Sequence, residues 1–298
     1  MLRLARIVLA TLIVLAWPAW AGNVALVLGD DSSVQSDFAR AFEESLAGSA
    51  WQLVSPPQAE AARTPPDLIV TVGSEALRKT LSRGDNLPIL ATLLPRQSYE
   101  KIVSEVRRPA GRTSAIYLDQ PLARQAAFLQ HLLPGQKRFG LLLSDETRAQ
   151  LGAYRQALAT HGLSLDSEDS DNDATLLPAL NTLLGRVGAL LAQPDGSIYR
   201  RQNIKGILIT AFRHQKPVIG YSPALVNAGA LAALYSTPTQ IARQAAEVIM
   251  SQGSNLPPPS APSQFAIAIN PTVAHALNLP VPDEPTIRRA LLADRETR

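Results

Sequence analysis

The sequence has 298 residues, none of them cysteine, with 46% hydrophobic, 18% charged and 5% aromatic residues and a formal charge of +3. Without a thiol, disulfide frameworks, thiolate zinc sites, iron–sulfur clusters, cysteine nucleophiles and lipid-anchored N-terminal cysteines are excluded. The apolar content is too high for a disordered chain, and the basic pairs Arg107-Arg108, Arg200-Arg201 and Arg288-Arg289 are too isolated for a nucleic-acid surface, so no nucleic-acid partner is expected.

Arg3 and Arg6 precede an apolar stretch from Ile7 to Trp17, and Ala19-Trp20-Ala21 is a small-x-small cleavage site, the pattern of a secretory signal peptide. The apolar run, broken by Pro18, falls short of the roughly twenty residues that a membrane span needs. Cleavage after Ala21 would leave 277 residues of charge +1 that do not span a membrane. At about 150 residues per domain, that length suggests two lobes.

The mature chain alternates short apolar runs with stretches of helical period, as βα units around parallel sheets do. Val24 to Leu28 reads as a strand ending at Gly29-Asp30, and Phe38, Ala41, Phe42, Ser45 and Leu46 form the next helical stripe. Leu68 to Val72 runs into Gly73-Ser74 and a helix, followed by the buried strand Pro88 to Thr92 and by Ala115 to Leu118. After Pro121 comes an apolar helix stripe from Leu122 to Leu133, the strand Phe139 to Leu143, and a helix from about Thr147 to His161 stopped by Gly162. Gly188 to Ala192, a helix through Ile204 to Phe212, and Pro217 to Gly220 repeat the strand, helix, strand order of Asp67 to Pro95 and close in Pro223. Thr237-Pro238-Thr239-Gln240 is a capping box opening a helix to about Ser251. Leu256 to Pro262 reads as an extended proline-rich linker, and the residues beyond Pro282 as a frayed, charged tail.

Enzyme motifs fail on their own residues. Gly220-Tyr221-Ser222-Pro223-Ala224 approximates a hydrolase nucleophile elbow, but Pro223 has no N–H to give an oxyanion hole, and His275 precedes Asp283, reversing the expected order. Ser222 reads instead as a helix cap. The acidic run Asp166 to Asp173 lacks the glycine and the glutamate of a calcium loop, with Ala174 and Leu180 in their places, and reads as a solvated loop. His131, His161, His214 and His275 have no metal-ligand spacing, and no dinucleotide or phosphate-loop fingerprint is present, so no metal or cofactor is expected.

Several runs, in order, resemble periplasmic substrate-binding proteins of ABC transporters, in the branch that includes binders of aromatic amino acids. They are Pro66 to Ala76, Leu87-Pro88-Ile89, Leu133 to Leu142, Lys216 to Gly220, Gly229 to Ala233, Arg243 to Ala246, and Ile269-Asn270 through Ala274 to Leu279-Pro280. The resemblance implies an α/β fold of two Rossmann-like lobes with parallel sheets, three crossovers and a hinged cleft between lobes, the type I periplasmic-binding fold. It implies one lobe from residues 22–114 with about 234–253, a second from 115–233 with about 263–282, and a tail at 283–298. Ala242 stands where the family has glycine.

In such a cleft Gly73 and Ser74 would present a helix N-terminus and a hydroxyl to a carboxylate or other anion. Thr92 would reach the same crevice, and Asp30 would meet an ammonium group. Ser144, Asp195 and Tyr221 would follow strands of the second lobe, Tyr221 as an aromatic wall; Asp30, Ser144 and Asp195 also read as turn or cap residues. The resemblance implies a receptor, not an enzyme, that captures an amino acid, small peptide or organic anion and delivers it to an inner-membrane ABC permease. A bilobed sensor or protein-interaction module, and an exported hydrolase using Ser222, are the alternatives.

Overall fold

The computed structural model describes residues 22–54, 66–84, 86–106 and 112–294. The signal segment 1–21 and the Arg107-Arg108 pair lie outside the described residues. Apolar pentads and hexads with few polar interruptions form strands buried on both faces, as parallel sheets require. The first sheet contains β1 (Gly22–Leu28), β2 (Trp51–Val54), β3 (Leu68–Val72), β4 (Ile89–Leu94) and β5 (Thr113–Tyr117), parallel throughout in the order β2-β1-β3-β4-β5. The second contains β6 (Arg138–Leu143), β7 (Ser164–Asp169), β8 (Ala189–Leu191), β9 (Val218–Gly220), β10 (Ala232–Tyr235) and β11 (Ala266–Ile269) in the order β7-β6-β8-β9-β10-β11, with only β11 antiparallel.

Apart from β11, the two sheets share one strand order. The repeat read in the sequence has a structural counterpart, because β3 and β4 hold the places in the first sheet that β8 and β9 hold in the second.

The helices are α1 (Ser33–Leu46), α2 (Ser74–Ser82), α3 (Arg96–Ser104), α4 (Leu122–Leu132), α5 (Leu151–Thr160), α6 (Asp173–Leu184), α7 (Arg201–Arg213), α8 (Pro223–Ala228), α9 (Pro238–Gln252), α10 (Pro271–Ala276) and α11 (Glu284–Ala293). In α1 the expected stripe is buried, and Phe38 stacks on Phe42 with centroids 5.8 Å apart. Helix α9 follows a strand of the second sheet yet packs on α1, with Ile241, Ala242, Ala245, Ala246 and Ile249 in the first sheet's core. Small alanines along that face admit the close approach, and Ala242 fits without the family's glycine. The Thr237 capping box forms as read, with Thr237 and Gln240 side chains each accepting the other's backbone N–H. On the second sheet Gly140 is dictated by packing, since a Cβ there would come within 2.9 Å of both Leu183 and Val187.

Four local expectations change. The sequence divides the chain between Ser114 and Ala115, but β5 runs across that point and pairs with β4. The acidic run is not a free loop: its first half is the edge strand β7, and Asn172 caps α6. Arg148 gathers Asp145, Asp169 and Asp171, so one guanidinium holds these carboxylates together. The proline-rich linker lies along the edge of the first sheet, where Ser260 accepts from the Tyr117 N–H and donates to the Ala115 carbonyl. The expected frayed tail is α11, capped by Asp283, with Ile287 and Leu291 in the second core. Those two residues are one helical turn apart, a spacing that the charges around them obscured.

Leu291 has no exposed surface. Leu291→Ala should therefore lower the unfolding free energy by about 2–5 kcal/mol in urea titrations; a loss under about 0.5 kcal/mol, the scale of a surface change, would show that α11 does not dock in solution.

Candidate functional site

In open parallel sheets the loops at the carboxyl ends of the strands face a crevice. Here a cleft of about 490 Å³ opens there, lined from both sheets. Val34 of α1, Leu93 in β4, Pro95 just after it, and Gln97 and Ser98 of α3 form one wall; Asp195 and Tyr199 after β8, and Tyr221 and Pro223 after β9, form the other. Leu118, Tyr235 and Ser236, where the chain crosses between sheets, complete it. A second depression of about 510 Å³ shares Gln97, Ser98 and Glu146 with the cleft and adds Ser74 and Lys101.

The second wall is organised by Asp195. Its Oδ2 accepts from the Ser144 hydroxyl at 2.7 Å and the Thr147 hydroxyl at 3.0 Å, and its Oδ1 from the N–H groups of Ser197 and Ile198 at 2.8 and 2.9 Å. A carboxylate offers about four acceptor positions, and neutral donors fill all of them. Asp195 thus clasps the loops after β6 and β8 together. Beyond it Tyr199 and Tyr221 meet edge to face, centroids 6.0 Å apart and planes at 76°. Burial raises the pKa of both phenols, and the Asp195 charge adds to the effect. The Tyr199 hydroxyl is buried with no hydrogen-bond partner among the described residues.

The first wall depends on an irregularity. The register of β4 against β5 shifts between Thr92 and Leu94, and Leu93 takes a left-handed φ of 53°, uncommon for a branched residue. Leu93 lines the cleft, whereas Thr92 is fully buried with its hydroxyl donating to the Thr71 carbonyl at 2.9 Å. Gly73 meets the β3–α2 turn with a φ of 87°, which disfavours any side chain. Asp30 is exposed and accepts the Ser32 N–H at 2.9 Å, and hydrogen bonding first from the Ser32 side chain and then from this N–H lowers its pKa.

Of the seven residues expected to bind, the structure brings Asp195 and Tyr221 into the cleft and Ser74 into the adjoining depression. Thr92, Ser144, Asp30 and Gly73 do not line the cleft, because turn, cap and strand contacts occupy them. Leu93, Gln97, Ser98 and Tyr199 also line the cleft, as does Tyr235, which the sequence places near a crossover as hinge packing. The repeat was the available signal, since Leu93-Leu94-Pro95 occupies in the first sheet the place of Tyr221-Ser222-Pro223 in the second.

The crossings beneath the cleft are joined by polar contacts. Gln120 Nε2 donates to Ser236 Oγ at 2.8 Å, and that hydroxyl donates to the Gln264 carbonyl at 2.6 Å. Arg124 Nη1 donates to Gln120 Oε1 and to the Pro262 carbonyl, and its Nη2 to the Ser263 carbonyl. All three connections between the sheets therefore meet at one knot.

Residues 57–289 match a family described as ABC transporter substrate binding protein. The chain belongs to this family. Solved structures agree on the fold. A ligand-free, open substrate-binding protein with adhesive properties from Clostridium difficile is 15% identical, covers 88% of this chain and 96% of its own, and has a TM-score of 0.68. An ABC domain in complex with L-Trp from Streptococcus pneumonia is 14% identical over 90% and 98%, with a TM-score of 0.61. A conserved domain protein from Vibrio cholerae is 18% identical over 92% and 98%, also at 0.61. No curated protein matches the chain. ABC transporter substrate-binding proteins bind rather than catalyse, and Ser222 serves as a cap, its hydroxyl accepting the Leu225 N–H at the start of α8. Among the described residues no helix is long and apolar enough to cross a membrane.

A phenol whose pKa is raised on folding contributes stability that is complete below about pH 10 and is lost as the pH climbs above it, because the unfolded chain ionises first. Tyr199→Phe should shrink this alkaline loss without lowering stability at pH 7, since the hydroxyl has no partner to forfeit. A cost above about 1 kcal/mol at pH 7 would reveal a partner for that hydroxyl.

Proposed function

We propose that the protein is an exported solute receptor that captures a small molecule in the cleft between two lobes and delivers it to an ABC permease of the inner membrane. The observation that carries the reading is that one cleft draws its walls from both sheets while Ser236 belongs at once to its lining and to the knot joining the crossings. Contacts from both walls are complete only when the walls close, so a ligand favours a closed form already in equilibrium with an open one. The lobes in this reading are residues 22–117 with 238–253, and 122–235 with 265–293. Export follows from the signal pattern of residues 1–21, with the charged segment Arg3 to Arg6 ahead of the apolar run. Tyr221 and Leu93, at equivalent places in the repeat, are the opposing apolar contacts, and Ser74 serves ligands long enough to enter the adjoining depression.

The test is a thermal-shift screen of protein first unfolded and dialysed to strip bound ligand. A ligand at 100 times its Kd stabilises by about 2.7 kcal/mol, a shift of a few degrees. At least one small molecule should give that shift, and Tyr221→Ala should abolish it. A blank with amino acids, peptides, organic acids, amines, nucleosides and sugars would contradict capture in the cleft.

A further inference from the structure

The charge of the cleft says more about its ligand than the polarity of its lining does. Among the described residues that line it there is no lysine, arginine or histidine, while two carboxylates, Asp195 and Glu146, are present. Glu146 is paired with Lys101 at 3.3 Å on the side of the adjoining depression. Among the described residues Asp195 has no such counterion. Its four hydrogen bonds come from two hydroxyls and two backbone N–H groups, so it is solvated as an anion but not neutralised. In a region of low dielectric constant that charge projects into the space beside it.

A ligand anion would find no cationic side chain among the described lining residues. Helix α3 directs its N-terminus to the cleft, but its first N–H donates to Asp119 Oδ2 at 2.7 Å. The α8 terminus is capped by Ser222. Arg148 and Arg200, on the loops that Asp195 clasps, are held by Asp145, Asp169 and Asp171 and by Asp173 respectively. The organic-anion class expected from the sequence therefore lacks a partner here.

The aromatic walls point the same way. Tyr199 and Tyr221 stand nearly perpendicular, and Tyr235 lines the same cleft. Aromatic rings lining an apolar space attract a cation through their electron-rich faces, and a large, weakly hydrated cation loses little solvation on entering. A volume near 490 Å³ suits a molecule larger than an inorganic ion.

We propose that the cleft selects a bulky organic cation, a quaternary or aromatic ammonium compound without a carboxylate, held by Tyr199, Tyr221 and Tyr235 in the field of Asp195. The inference rests on the receptor reading above and narrows its ligand. It is tested by calorimetric titration of the purified protein with three probes that share one ring: benzyltrimethylammonium, benzyl alcohol and phenylacetate. The cation should bind at least about tenfold more tightly than the alcohol, and phenylacetate more weakly than the alcohol. Tyr221→Leu should bring the cation and the alcohol within about threefold of each other. Asp195→Asn should reduce the same ratio; because it also loosens the clasp, the partly exposed Tyr221 carries the test if that variant fails to fold. Alcohol or phenylacetate binding as tightly as the cation, with Tyr221→Leu weakening it, overturns the charge assignment and leaves the receptor reading standing. Absence of binding by all three overturns the inference, and the receptor reading falls with it only if the broader screen is also blank.

Discussion

A buried guanidinium holds the two halves of this protein in relation. Arg124 is 4% exposed, lies over the Phe265 ring at 5.1 Å, and spends its donors on Gln120, Pro262 and Ser263. Burial favours its neutral form and lowers its pKa. Such a charge is costly unless every donor is satisfied, and here the acceptors include carbonyls of the last crossing that would otherwise be unpaired. The chain crosses between sheets three times because α9 returns to the first core and β11 to the second. Connections made by directional hydrogen bonds leave less interdigitated apolar surface between the sheets than a fused core would, and a cleft can persist there.

The same economy recurs in the cleft. Asp195 and Arg124 are both buried ions held by neutral partners, one in the second wall and the other beneath the cleft. Each fixes loop geometry by hydrogen bonds, and Asp195 also lines the space that a ligand meets.

Much of the fold was legible because parallel sheets are written in continuous apolar runs, and the turns that end them carry glycine, proline or a capping hydroxyl. The run Leu68 to Val72 and the Thr237 box needed no tertiary information. The site was less legible for a physical reason: residues after strands are polar both when they bind ligands and when they close turns. Ser144 and Asp30 close turns, and Thr92 lies inside β4 with its hydroxyl on the Thr71 carbonyl. Leu93 was hidden because its position depends on a register shift and a positive φ that no leucine announces. The membership of β5 in the first sheet, and of α11 in the second core, depended on long-range pairing rather than on local pattern.

The central claim is that the walls move together about the knot when a ligand is bound. The absence of cysteine allows two to be introduced, at the exposed Glu75 of α2 and Asn227 of α8, for a fluorescence distance measurement across the cleft. Against a library of small molecules, the account predicts that a binding compound shortens this distance while a pair placed within one sheet's own helices, Glu75 and Glu43, keeps its separation. A bound compound that leaves the cross-cleft distance unchanged, or that alters both pairs alike, would contradict it.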